Sequence, residues 1–233
     1  MGKINQGILG GFSGKVGTVV GSTWKSINYM RALAVNVHDA KSEKQLCQRG
    51  KFRTVVNFTK TITPFLRVGF QEHEDGRSAV NAATSYLMLH AVEGCADGAV
   101  LNFDKVRVSQ GSLTAAADAS AEVAANKVTF SWTDNSGAGD AQAEDAAMVL
   151  AFNKDRQEAV YLLAAATRAD GTAELPLPTS WDGEALAIYL AFCSADGQHV
   201  SNSLCLHNDA LSTEPDDPDS GSGDEDDGDH QLG

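Results

Sequence analysis

The stretch Lys127-Val128-Thr129-Phe130-Ser131-Trp132-Thr133, closed by Asp134-Asn135-Ser136-Gly137, decides the fold. Val128, Phe130 and Trp132 alternate with polar partners, the two-residue period of a strand with one buried face. The four residues that follow are turn formers. Outward from it the pattern is expected to recur: Ala146, Met148, Leu150 and Phe152 are read as the same alternation with polar partners, and Val160 to Ala165, Ala173 to Leu175, Leu186 to Phe192 and Val200 to Leu206 continue the series. Asn153-Lys154-Asp155, Asp170-Gly171, Asp182-Gly183 and Asp196-Gly197 punctuate it as turns.

About seven short strands in roughly a hundred residues, with a Trp on an early one, predict an immunoglobulin- or fibronectin-like β-sandwich over residues 99–208. Its first strand is read from Leu101, Phe103, Val106 and Val108, with Lys105 and Arg107 on the opposite face.

Residues 1–98 read as a basic head. Glycines at 2, 7, 10, 11, 14, 17 and 21 argue against helix, and Val16, Thr18, Val19, Val20 and Thr23 are β-formers, so a glycine-hinged β-ribbon is expected up to Arg31. Ser42-Glu43-Lys44-Gln45 has capping-box spacing. Leu46, Phe52, Val55, Val56, Thr59 and Ile62 then form an apolar stripe on a helix that Pro64 ends or kinks. A second helix is expected from about Ser78 to Val92, burying Val80, Ala83, Leu87, Met88 and Ala91. Residues 209–233 carry ten Asp or Glu and no Lys or Arg, too polar to offset the entropy of ordering, and are expected to be a disordered acidic tail. The fold class is therefore α+β: a β-ribbon with two helices, a sandwich and a tail.

The 233 residues carry a net charge of −13, unevenly spread. Residues 1–70 hold eleven Lys or Arg against Asp39 and Glu43, whereas residues 71–208 hold seven against nineteen acidic side chains. No apolar run approaches the ~18 residues of a membrane span, and the start lacks a secretory stretch. Gln6 stands where myristoylation requires Ser or Thr. The expected location is the cytoplasm or a phage-like particle assembled there. The four cysteines include no Cys-x-x-Cys pair, so reduced thiols are expected, with Cys193 and Cys205 the pair placed to bridge neighbouring strands on export.

Motifs for chemistry fail on spacing. Gly10-Gly11-Phe12-Ser13-Gly14-Lys15 has Leu9 where a phosphate-binding loop needs its first Gly and Val16 where it needs Ser or Thr. Ser22-Thr23-Trp24-Lys25 matches Ser-x-x-Lys without the companion elements of serine acylases. No two His are spaced as metal ligands. Asp134, Asp140, Glu144 and Asp145 cluster, but without the EF-hand spacing. No catalytic residue, metal, cofactor or small-molecule substrate is predicted, and the expectation is not an enzyme.

The informative feature is the basic head, with binding residues expected at Lys15, Trp24, Lys25, Arg31, Arg49, Lys51 and Arg53. Cations interleaved with aromatics suit either nucleic-acid phosphates or acidic surfaces of neighbouring copies. The acidity of the remaining chain opposes nucleic acid, so a protein partner or self-assembly is the first expectation.

The opening Met1 to Gly21, with Gly14-Lys15-Val16-Gly17, then Trp24-Lys25 and Arg31, resembles an uncharacterised bacterial family common in the Bacteroidetes group. Its Asn-Pro-x-Thr-x-x-Gln segment has lost the Pro here, at Val37 to Gln45, although Arg49 and Phe52 fit. Trp132 to Asn135 and Ser201-Asn202-Ser203 extend the likeness over most of the chain. The family carries no assigned activity. The ribbon-and-helix order is also similar to small structural proteins of phages and mobile elements, an analogy only.

Overall fold

The computed structural model describes residues 3–4, 10–24, 27–34, 39, 41–73, 76–95, 98–124 and 126–209. The chain forms two compact units, Met1–Ser42 and Glu43–Gly233.

The first unit is one antiparallel sheet of β1 (Lys3–Ile4), β2 (Phe12–Val16), β3 (Val19–Trp24) and β4 (Ile27–Ala32), in that order. A two-residue turn, Gly17-Thr18, joins β2 to β3. Gly17 sits at φ +57°, the left-handed backbone that a hairpin turn demands of its first central residue and that glycine supplies without strain. Among the described residues of this unit only Gly21 is buried, and all six residues of β4 are exposed.

In the second unit, α1 (Glu43–Thr61) begins directly after Ser42 and carries Glu43 in its first turn and Lys60 in its last, both favourable to the helix dipole. Pro64 lies in the first turn of α2 (Thr63–Gly69), so it ends one helix and opens the next. α3 (Ala79–His90) is capped by Ser78, whose hydroxyl accepts from the Asn81 N–H. The remaining strands are β5 (Val92–Glu93), β6 (Val100–Leu101), β7 (Ala117–Ala124), β8 (Lys127–Thr133), β9 (Ala146–Asn153), β10 (Glu158–Leu162), β11 (Thr172–Pro176), β12 (Leu186–Cys193) and β13 (Leu204–Asn208). They make antiparallel sheets ordered β10-β9-β12-β13 and β11-β8-β7, and a two-stranded pair β5-β6.

The α+β class is thus what the chain adopts. Its centre is β9 and β12, whose residues alternate between two buried clusters. Met148, Leu150 and Phe152, with Ala187, Tyr189 and Ala191, pack with Val55, Phe58, Phe65 and Leu87 of the helices. Ala147, Val149 and Ala151, with Ile188, Leu190 and Phe192, pack with Val128, Phe130, Trp132 and Leu175 of the other sheet. Helices and a second sheet therefore cover the two faces of one sheet, and burial of each large side chain contributes roughly 1.5–3 kcal/mol.

Several expectations are corrected. The partners of Met148, Leu150 and Phe152 are apolar and buried, because β9 is covered on both sides. Leu46 and Phe52 of the expected stripe are exposed, and Phe58 takes the core position instead. Residues 101–108 are not one strand: β6 ends at Leu101, a 3-10 turn covers Phe103–Lys105, and Val106 and Val108 reach the core from irregular backbone. The disulfide joins Cys47 and Cys95, whereas Cys193 and Cys205 are free thiols. The latter two lie on adjacent strands but out of register, since Cys205 faces Tyr189, four residues from Cys193. The expected tail after Asp209 lies outside the described residues.

Candidate functional site

The register of the N-terminal sheet sorts its side chains. Lys15 pairs with Val20 and Val20 with Arg31, while Ser22 pairs with Tyr29 and Trp24 with Ile27. Directly paired residues share a face, and steps of two along a strand keep that face. One side of the sheet therefore carries Lys15, Val20, Ser22, Trp24, Ile27, Tyr29 and Arg31, and the Lys3–Ser13 pair belongs to it as well.

Strand spacing puts Lys15 and Arg31 about 9–10 Å apart across β3, with Tyr29 about 7 Å along β4 from Arg31. The cations lie toward one end and the Trp24–Ile27 pair toward the other. Trp24 is 63% exposed, Ile27 62% and Tyr29 43%, an unusual concentration of apolar surface in solvent.

The opposite face is shaped by glycine. A Cβ on Gly21 would lie 2.2 Å from the Phe12 carbonyl oxygen and 2.5 Å from its ring, so only glycine lets Phe12 lie across the sheet there. Val16 and Met30 remain exposed on that side.

Of the expected binding residues, the structure brings Lys15, Trp24 and Arg31 onto one face. Lys25 lies outside the described residues. Arg49, Lys51 and Arg53 are on α1, in the second unit, where the i, i+4 spacing puts Arg49 and Arg53 on one exposed side and Lys51 on another, partly covered. Sequence reasoning missed Lys3 and Ile27 as members of the face. The alternation of Ile27, Tyr29 and Arg31 with Asn28 and Met30 was the available signal.

The other candidates find structural uses. Asp145 is buried against Arg168, Asp140 accepts from Thr114 Oγ1 and N–H, and Asp134 accepts from Ser136. Hydrogen bonds from Thr114 and Ser136 hold Asp140 and Asp134 below the usual carboxylate range. No group of three or more His, Cys, Asp or Glu among the described residues is placed to hold a metal ion. Ser112, His199 and Glu72 assemble a serine–histidine–acid trio, but Ser112 Oγ and Glu72 Oε1 approach the same ring nitrogen, Nδ1, at 3.4 and 3.8 Å. A proton relay needs them on opposite nitrogens. Among the described residues no helix is long and apolar enough to cross a membrane.

A family model described as a family of unknown function (DUF6266) matches residues 11–207, and the chain belongs to that family. No curated protein and no solved structure matches the chain.

Proposed function

We propose that this member of the family is a non-enzymatic interaction protein, a structural component of a phage-like, multi-copy assembly. In this reading the segment Gly10 to Arg31 is a glycine-hinged ribbon that docks its Lys15, Trp24 and Arg31 face on the acidic surface of another copy. The immunoglobulin- or fibronectin-like pair of sheets then serves as spacer or recognition module.

One observation carries the reading: a sheet with no buried side chain among its described residues exposes Trp24, Ile27 and Tyr29 beside two cations. A sheet of this size gains stability by covering a hydrophobic face, and aromatic anchors beside cations are what docking sites use. Charge supplies the occupant. Residues 1–42 carry five Lys or Arg against Asp39, and residues 43–233 carry thirteen against thirty acidic side chains. Head-to-body attraction between copies steers encounter, and the exposed edge strand β4 offers backbone groups for pairing.

The same interleaving of cations and aromatics favours a second reading, single-stranded nucleic acid stacked on Trp24 and Tyr29 with phosphates on Lys15 and Arg31. Light scattering on the full chain, with and without nuclease, separates the two. A nuclease-resistant oligomer lost in a Trp24→Ala/Arg31→Glu variant supports docking between copies. Nucleic acid that co-elutes and leaves on nuclease treatment transfers the face to the second reading.

A further inference from the structure

On the second unit an open groove of about 750 Å³ runs between Tyr86, Leu89 and His90 of α3 and the segment around Arg107, with Leu204 and Cys205 at its wall. It shares those three helix residues with a smaller cavity of about 180 Å³ lined by His73 and Arg77.

The Arg107 guanidinium lies over the Tyr86 ring, 5.4 Å from its centroid, and Nη1 donates to Asn202 Oδ1 at 3.4 Å. Tyr86 in turn packs against the His90 ring at 4.7 Å. Among the described residues no ion pair engages Arg77 or Arg107. The His73 Nε2 atom is buried without a hydrogen-bond partner. The acidic groups nearby are already occupied: Asp104 accepts from Asn208 Nδ2, and Glu93 is paired with Lys105 at 2.8 Å. Glu74 and Asp75, between His73 and Arg77 in sequence, lie outside the described residues.

Two guanidinium groups outside any ion pair and a buried ring nitrogen suit several acceptors spaced along a chain, the chemistry of an acidic peptide. Such a peptide is part of this molecule. Residues 210–233 hold nine Asp or Glu and no Lys or Arg. They follow Asp209, just past β13, whose first residues Leu204 and Cys205 line the groove. Twenty-four residues can span up to about 80 Å. Tethering gives an effective concentration on the order of millimolar, enough to hold a weak electrostatic contact.

We infer that this groove is the docking site of the chain's own acidic C-terminal segment, residues 214–229, with carboxylates on Arg77 and Arg107 and one accepting from His73. The inference is independent of the reading of the N-terminal sheet.

Cleavage of the full chain by a glutamate-specific protease tests it at Glu225, which lies within the segment, whereas the Glu214–Pro215 bond resists such enzymes. At low salt, Arg77→Glu/Arg107→Glu speeds cleavage there roughly fivefold, and about 0.5 M salt brings the unaltered chain to the same rate. Arg77→Lys/Arg107→Lys keeps most of the protection, and Lys60→Glu on α1 leaves it unchanged. Independently of any variant, a free tail peptide with both glutamates replaced by aspartate competes at millimolar concentration and accelerates cleavage of the unaltered chain. Equal low-salt rates in the unaltered chain and the double reversal, an equal acceleration by Lys60→Glu, or no effect of the peptide would overturn the inference.

Discussion

Arg168 and Asp145 form an ion pair at 3.1 Å with both side chains essentially out of solvent. The guanidinium also donates to Asn135 Oδ1 and to the Thr114 carbonyl, and it lies 3.9 Å from the Phe192 ring centroid. The Trp132 indole N–H donates to the Arg168 carbonyl at 2.8 Å. One buried cation thus joins the loops at residues 114, 135, 145 and 168. Arg168→Met strands the Asp145 charge, so the expected loss is about 3–5 kcal/mol in urea unfolding. A loss below about 1 kcal/mol would mean that the pair is solvated.

Gly21→Val should act on the N-terminal sheet alone. The new side chain collides with Phe12, where overpacking costs about 1–3 kcal/mol. Amide exchange of residues 12–32 is expected to accelerate while that of β9 and β12 is unchanged. Unaltered protection at Val20 and Arg31 would show that the sheet tolerates a side chain at that position.

The bond between Cys47 and Cys95, 48 residues apart, ties the start of α1 to the segment between β5 and β6. Thiol counting on the denatured, unreduced protein should find two reactive cysteines, Cys193 and Cys205. Cys47→Ser/Cys95→Ser should cost about 2–4 kcal/mol, mainly by releasing the unfolded chain. Four reactive thiols and an unchanged midpoint would contradict this pairing.

Stability should fall in acid, with Glu72 among the causes. Burial works against its charge, but N–H groups of Val200 and Ser112 and the neighbouring His199 outweigh it and hold the carboxyl below its ordinary 4.5. A depressed folded-state value contributes stability that is fully present above the unfolded value and is lost as pH falls through the folded one. Melting temperature against pH should therefore drop below about pH 4.5, and Glu72→Gln should be less stable near neutrality yet flatter through that range. A parallel curve for the variant would remove Glu72 from the acid response.

Much of the second unit is legible in sequence because turn residues bracket the strands at Asp134, Asn153, Asp170, Asp182 and Asp196. Two-sided burial is less so. The run Ala146-Ala147-Met148-Val149-Leu150-Ala151-Phe152 is continuous in apolar character, and small alanines let it pass for an alternating strand. β7, with Ala117, Ala119 and Ala121 at alternate positions, gives no strand signal, since alanine is a weak β-former. The apolar stripe of α1 differs from the sequence expectation at Phe52 and Phe58, both aromatic and six residues apart, where only tertiary packing selects the buried one. The disulfide has no local signature. Of the candidate face, residue types were legible at Lys15, Trp24 and Arg31, but their common side depends on cross-strand register, which the turns set.

The most direct measurement is the mass of the nuclease-treated full chain by light scattering at low and high salt, beside Trp24→Ala/Arg31→Glu. Docking between copies predicts a species heavier than the 24.5 kDa monomer at low salt, shrinking at high salt and absent in the variant. A 24.5 kDa monomer under every condition, identical in chain and variant, would contradict it.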